Sequence, residues 1–261
     1  MVGIEENCPV YLLPVGSMVA IVSKLPQKKF SSAVLKKKLQ EPDWLVYKAH
    51  LHEAVVEAIM RQGTVVPLRL MTLFQTETSL LEALLPHEAT IKDFLEYVQD
   101  KAEWALKIYL DKARAKGYLL KNCKDLVESA ENTHQSPGGR YLLEKQRERK
   151  AEEGLLRLTR LTTEEVSKRL APLCEDFRPL KPLDKTITSS PWEMIYNGAL
   201  LVTNNNVKAL RKEVSSLRRD YRQKGFIFQL SGPWPPYNFC PSLPGDEGSN
   251  PPELTVNGNG K

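Results

Sequence analysis

His50-x-His52-Glu53 opens as an H-E-x-x-H zinc helix opens, in which two histidines one turn apart hold the metal and the glutamate activates a water. Val56 stands where the second histidine would be, so the ligand set fails. His52 reads instead as a hydrogen-bonded structural histidine at the margin of an apolar helix face, and His87 and His134 have no partners nearby in sequence. Cys8, Cys123, Cys174 and Cys240 are scattered, without a C-x-x-C pair, and read as free thiols of a reducing compartment. The chain holds no phosphate-binding Gly-rich loop of the Walker type, no G-x-G-x-x-G after a strand and no G-x-S-x-G elbow. Gly138-Gly139-Arg140 offers backbone N–H groups to an anion, but Ser136-Pro137 just ahead makes it an ordinary helix start. No catalytic residue, cofactor or metal is expected.

Binding chemistry is better represented. Seven bases (Lys208, Arg211, Lys212, Arg218, Arg219, Arg222, Lys224) stand against Glu213 and Asp220 between 204 and 224, while formal net charge is only +5. Such a face is a solvated helix surface or a contact for an acidic partner. Lys224-Gly225-Phe226-Ile227-Phe228 mimics the start of an RNA-stacking motif, which makes an RNA-binding protein with an RRM-like C-terminal domain the alternative reading. In an RRM that motif precedes the second helix; here it follows it, so no nucleic-acid partner is expected. Pro67 and Arg69 sit on an apolar run, where Arg69 makes an internal salt bridge or a partner contact. Trp234 and Tyr237, stiffened by Pro233, Pro235 and Pro236, suit a clamp between domains or a partner contact. Pro67, Arg69, Arg140, Trp234 and Tyr237 are thus the candidate partner-binding or domain-clamp residues.

The elements that position them follow from pattern. Residues 9–14 and 18–23 are β-prone runs around Val15-Gly16-Ser17, which predicts a hairpin. From Asp43 as N-cap, Trp44, Tyr47, Leu51, Val55, Ala58 and Ile59 share one helical face until Gly63. Residues 64–70 read as a buried strand carrying Pro67 at an edge or bulge, and 79–85 and 90–101 as helices. Leu106, Ile108 and Leu110 then alternate with Lys107 and Tyr109 as in a half-buried strand. A helix from Ser136-Pro137 through Leu170, with Gly154 as a weak point, precedes strands at 178–189 and 194–203. Val207, Leu210, Val214, Leu217 and Tyr221 define an amphipathic helix that Gly225 stops, before a last strand at 226–230.

At 261 residues, 41% hydrophobic and 26% charged, the chain fits two globular domains. The fold class is α+β: an N-terminal α+β domain at 1–102, a ferredoxin-like βαββαβ domain at 103–241 and a disordered tail at 242–261. No apolar run approaches the roughly 20 residues that cross a bilayer, and the acidic first residues lack a secretory pattern. A cytoplasmic protein without a membrane span is expected.

Four stretches resemble one known family. His52-Glu53-Ala54-Val55-Val56 with Thr64-Val65-Val66-Pro67-Leu68-Arg69 is similar to its histidine-led helix and V-x-P-L-R-F-G segment, with Leu70-Met71 standing here in place of F-G. Glu103-Trp104-Ala105-Leu106-Lys107-Ile108-Tyr109 resembles its E-W-x-x-K-x-Y strand, and Gly139-Arg140-Tyr141-Leu142 its G-R-x-Y-L helix start. Gly232-Pro233-Trp234-Pro235-Pro236-Tyr237-Asn238-Phe239 resembles its closing G-P-W-P-P-Y-x-F. The family is GvpF/GvpL of gas vesicle proteins. The resemblance implies a non-enzymatic, cytoplasmically made accessory protein of gas vesicle assembly, which binds the small hydrophobic shell protein, associates with the vesicle and meets other accessory proteins.

Overall fold

A computed structural model describes residues 3–122, 137–188 and 190–243 of the chain. They fall into two compact units: Ala102–Pro233, and the residues up to Lys101 together with those from Trp234 onward.

The first unit opens with a hairpin of β1 (Val10–Val15) and β2 (Met18–Ser23), antiparallel in the register Val10↔Ser23 to Val15↔Met18. Gly16 turns it at φ 59°, a left-handed backbone that favours glycine, and the Glu88 carboxylate lies against it. Glu88 is close because its Oε1 accepts hydrogen bonds from Ser17 N (2.8 Å) and Oγ (2.6 Å). Short helices α1 (Gln27–Phe30) and α2 (Ser32–Lys38) lead into α3 (Pro42–Met60), and α4 (Glu77–Leu84) and α5 (Glu88–Tyr97) follow. A capping box starts α4, Thr76 accepting from Ser79 N and Ser79 Oγ from Thr76 N. Leu13, Val15, Met18, Ala20 and Val22 pack the inner hairpin face onto Leu80, Leu84 and Ile91.

Three expectations are corrected here. The N-cap of α3 is Glu41, with Pro42 at the first helical position and Asp43 in the first turn, where the N-terminal dipole favours an acid. Its inward side centres on Lys48 and Val56, whereas Tyr47 is 53% exposed; the facing is one residue, about 100°, away from the apolar stripe. Residues 64–70 form no strand. Pro67 has no N–H to give a ladder, and Val66 and Leu68 instead pack their side chains against the apolar cluster. Met71, standing where the resembling family has glycine, turns the chain at φ 68°.

In the second unit, β3 (Lys101–Leu110, its first residue still in the first unit) is followed by α6 (Lys112–Asn122), α7 (Pro137–Leu170), β4 (Asp176–Leu180), a short α8 (Lys185–Thr188), β5 (Glu193–Thr203), α9 (Val207–Arg222) and β6 (Phe226–Trp234, its last residue in the first unit). The sheet order is β4-β5-β3-β6, with β4 and β5 antiparallel from Asp176↔Leu201 to Leu180↔Asn197. Trp104, Leu106, Ile108, Leu200, Val202, Phe226 and Phe228 meet α6, α7 and α9 in one core through Leu119, Leu155, Val166, Leu210, Val214 and Leu217. Central β3 is covered on both faces, not one: Tyr109 packs with Leu183 and Met194 on the face opposite Ile108. The strand expected at 178–189 ends at Leu180, and 185–188 are helical; Pro182, two residues beyond the strand end, cannot donate to a ladder. Gly154 leaves α7 continuous, with Leu119 of α6 packed beside it at ordinary contact distance from where a Cβ would stand.

The closing segment belongs to the first unit, whereas the sequence reading groups 103–241 together. Three of its contacts there are Tyr237 with Glu53, Cys240 with Pro67 and Leu243 in the hairpin core. Leu243, 5% exposed, was expected in the tail; 244–261 lie outside the described residues.

Leu210→Asp is expected to lower stability by several kcal/mol, because it places a charge in the core of the second unit. Lys212→Glu, on the exposed side of the same helix, is expected to leave the melting temperature unchanged. Thermal unfolding followed by circular dichroism checks both.

Candidate functional site

Helix α3 positions a row of polar groups by helical spacing alone: Lys48 and His52 are one turn apart, Glu53 lies beside His52, and Val56 continues the row. Lys48 Nζ donates to Ile4 O at 2.6 Å and to Glu5 Oε2 at 2.7 Å, and Lys29 Nζ meets Glu5 Oε1 at 2.6 Å. Lys29 and then Lys48 hold the Glu5 carboxyl below its ordinary range. A 5% exposed lysine thus fastens the amino-terminal segment to α3.

One turn along, His52 Nε2 lies 3.0 Å from Leu68 O. Burial lowers the pKa of His52, which keeps the ring neutral and donating through Nε2. Glu53 Oε2 accepts from Tyr237 Oη at 3.0 Å. Burial raises the Glu53 carboxyl pKa against the pull of that bond, and Oε1 is buried without a hydrogen-bond partner. Cys240 Sγ lies 3.9 Å from Pro67 O and 3.3 Å from Pro236 O. The carbonyls of residues 67 and 68 therefore serve side chains in place of a strand ladder.

This arrangement holds backbone; His52 and Glu53 bond to different partners and do not form an acid–base pair. Among the described residues no three His, Cys, Asp or Glu side chains gather to hold a metal. Burial pushes the Cys174 thiol up to about 11, which removes the thiolate that a nucleophile needs. No described helix is long and apolar enough to cross a membrane.

The candidates named from sequence are partly gathered. Pro67 is buried and approached by Cys240, and Tyr237 bonds Glu53 in the same unit. Arg69 is exposed at the end of the Pro67 segment, its carbonyl accepting from Thr72 N (3.1 Å) and Oγ1 (2.8 Å). Trp234 is half-buried at the end of β6. Arg140 lies near the start of α7 in the second unit, apart from the others, and its side chain is outside the described residues. Lys48, Glu5 and Glu53 are not among the candidates: apolar periodicity sets Lys48 and Glu53 off the stripe of α3, and Glu5 lies in the amino-terminal segment, where no pattern marks it.

A second feature is the outer hairpin face. Leu12 (68% exposed) pairs with Ile21 (36%), and Pro14 with Val19 (55%), so this face is apolar and open. The signal was present in the sequence: Val10-Tyr11-Leu12-Leu13-Pro14-Val15 and Met18-Val19-Ala20-Ile21-Val22-Ser23 place apolar residues at both parities, where a strand with one wet face alternates with polar ones.

A mixed helix-and-sheet protein with an open apolar sheet face is the class these features define. The chain belongs to the family of gas vesicle synthesis proteins GvpL/GvpF, whose model matches residues 1–241. It is 25% identical over 232 residues to gas vesicle protein L of Streptomyces sp. (strain CB03234), covering 89% of this chain and 83% of that one. It is also 25% identical over 248 residues to gas vesicle protein L1 of Halobacterium salinarum, covering 92% and 84%. The crystal structure of gas vesicle protein GvpF from Anabaena sp. PCC7120 shares the fold with a TM-score of 0.67 at 18% identity, over 91% of this chain and 90% of that one. GvpF from Microcystis aeruginosa does so with a TM-score of 0.63 at 17% identity, over 91% of each chain.

His52 yields a pH prediction. Its folded pKa lies below the ordinary imidazole value of about 6.5, so the unfolded chain binds more protons as pH falls through that range and stability is lost from pH 6.5 downward. His52→Gln keeps a donor for Leu68 O but does not titrate. The difference in stability between wild type and variant is expected to shift in favour of the variant as pH falls below 6.5, in urea titrations read at several pH values; a pH-independent difference contradicts it.

Proposed function

We propose that this chain is a non-catalytic, cytoplasmic accessory protein of gas vesicle assembly that binds the small hydrophobic shell protein and associates with the vesicle, in company with other accessory proteins. Family membership supports the vesicle context. The observation that carries the binding reading is the open apolar face of Leu12, Pro14, Val19 and Ile21. Water leaves such a surface most favourably when another apolar surface covers it, and a hydrophobic shell subunit supplies one.

The same reading takes the two compact units as two domains. It takes the second as ferredoxin-like, supported by its order of strands and helices and by the sheet order β4-β5-β3-β6. The RNA-binding alternative loses its main support, because Phe226 and Phe228 are 3% and 4% exposed within the core and offer no ring to a base.

Leu12→Lys with Val19→Lys tests the face. Each residue buried at an interface contributes roughly 1.5–3 kcal/mol, so the double variant is expected to bind purified shell protein at least about tenfold more weakly, with the wild-type melting temperature kept. Unchanged binding contradicts the assignment. Self-association abolished by the same substitutions, without shell-protein binding, gives this face to a second copy of the chain.

A further inference from the structure

Helix α9 carries its charges in a pattern that the fold of its own unit does not use up. Leu210, Val214 and Leu217 are its buried side. Around the opposite side, at 100° per residue, Lys208, Lys212, Arg219 and Arg222 fall within about 40° of one line, with Ser215 between them. All four bases are exposed. The stripe is about 21 Å long, at 1.5 Å per residue.

The other three bases of the segment are spent internally. Arg211 lies over the Trp104 ring at 5.0 Å, Arg218 Nε donates to Phe228 O at 3.0 Å, and Lys224 lies over Tyr221 at 4.4 Å. Both acids of the helix are also engaged: Arg169 of α7 bonds Glu213 and Asp220 together. Those acids therefore anchor α9 to α7, on the flank of the stripe, and do not neutralise it.

Such a stripe is unfavourable for the helix itself. Lys208 and Lys212 repel at four-residue spacing and Arg219 and Arg222 at three. Lys208 sits in the first turn, where the dipole disfavours a cation, and no acid or side-chain cap offsets it there. A solvated surface needs no such alignment.

We propose that this stripe docks an acidic polypeptide segment, a helix with carboxylates spaced three and four residues apart, supplied by a protein partner. Charge complementarity selects the sign and the spacing of such a partner. The shape selects polypeptide over nucleic acid: the stripe is one side of a single helix, and no aromatic ring interleaves its bases for stacking. This surface differs in chemistry from the hairpin face and does not depend on the shell-protein reading.

The test uses the full chain and a fluorescein-labelled helical peptide with glutamates at three- and four-residue spacing. Anisotropy titrations compare wild type, Lys212→Glu with Arg219→Glu, and Lys36→Glu with Lys37→Glu on α2 as a control of equal charge change. The α9 reversal is expected to weaken binding at least tenfold with an unchanged circular dichroism spectrum, and the control to leave it within twofold. Equal loss in both, or no loss in either, overturns the proposal. So does duplex DNA that displaces the peptide at lower phosphate concentration than the peptide's own carboxylate concentration. Should the reversal variant lose its folded spectrum, Lys212→Gln with Arg219→Gln gives the same readout without new charge, with a threefold or larger loss expected and none overturning the proposal.

Discussion

The first unit is made from two stretches of chain that are far apart in sequence, and polar residues on two sides of helix α3 fasten them. Lys48 takes hold of the amino-terminal segment through Ile4 O and Glu5, and Glu53 takes hold of the closing segment through Tyr237. Neither fastening is apolar. The Lys48–Glu5 pair, at 7% and 13% side-chain exposure, is completed by the Ile4 carbonyl and by Lys29; removing one partner leaves the other charge uncompensated there. Their contribution is to specify which segments meet, in a unit whose apolar cluster is small beside that of the second unit.

That constraint reaches the rest of the unit. With His52 and Cys240 reaching the carbonyls of residues 68 and 67, the Pro67 segment is held by side chains and leaves the hairpin two-stranded. The hairpin then packs one face on α4 and α5, located by Glu88 under its turn. Its other face is open and apolar. The second unit works differently: its sheet and three long helices close over a continuous apolar core, and the polar bonds between α7 and α9 lie at the surface, where they orient the helix that presents the basic stripe.

Where apolar periodicity and the core agreed, the sequence was readable. The hairpin declared itself by two β-prone runs around Gly16, and α9 by a three-and-four spacing from Val207 to Tyr221 whose buried residues are those the spacing selects. The reading failed where burial was polar. Lys48, His52 and Glu53 look like an outer face to any hydrophobic count, so α3 was turned by one residue. The apolar run at 64–70 looks like a strand, but a ladder needs donors that Pro67 lacks and acceptors that His52 and Cys240 occupy. Leu243 was invisible for a further reason: a single leucine among prolines and glycines carries no period, and only the fold gives it a place in the core.

The bond between Glu53 and Tyr237 offers the most direct measurement of this account. A double-mutant cycle of Glu53→Leu and Tyr237→Phe, read by urea unfolding at neutral pH, isolates their interaction from the effects of each change alone. Fastening of the closing segment by α3 predicts a coupling energy of about 1 kcal/mol or more in favour of the native pair. Additive effects, with no coupling outside error, would contradict it.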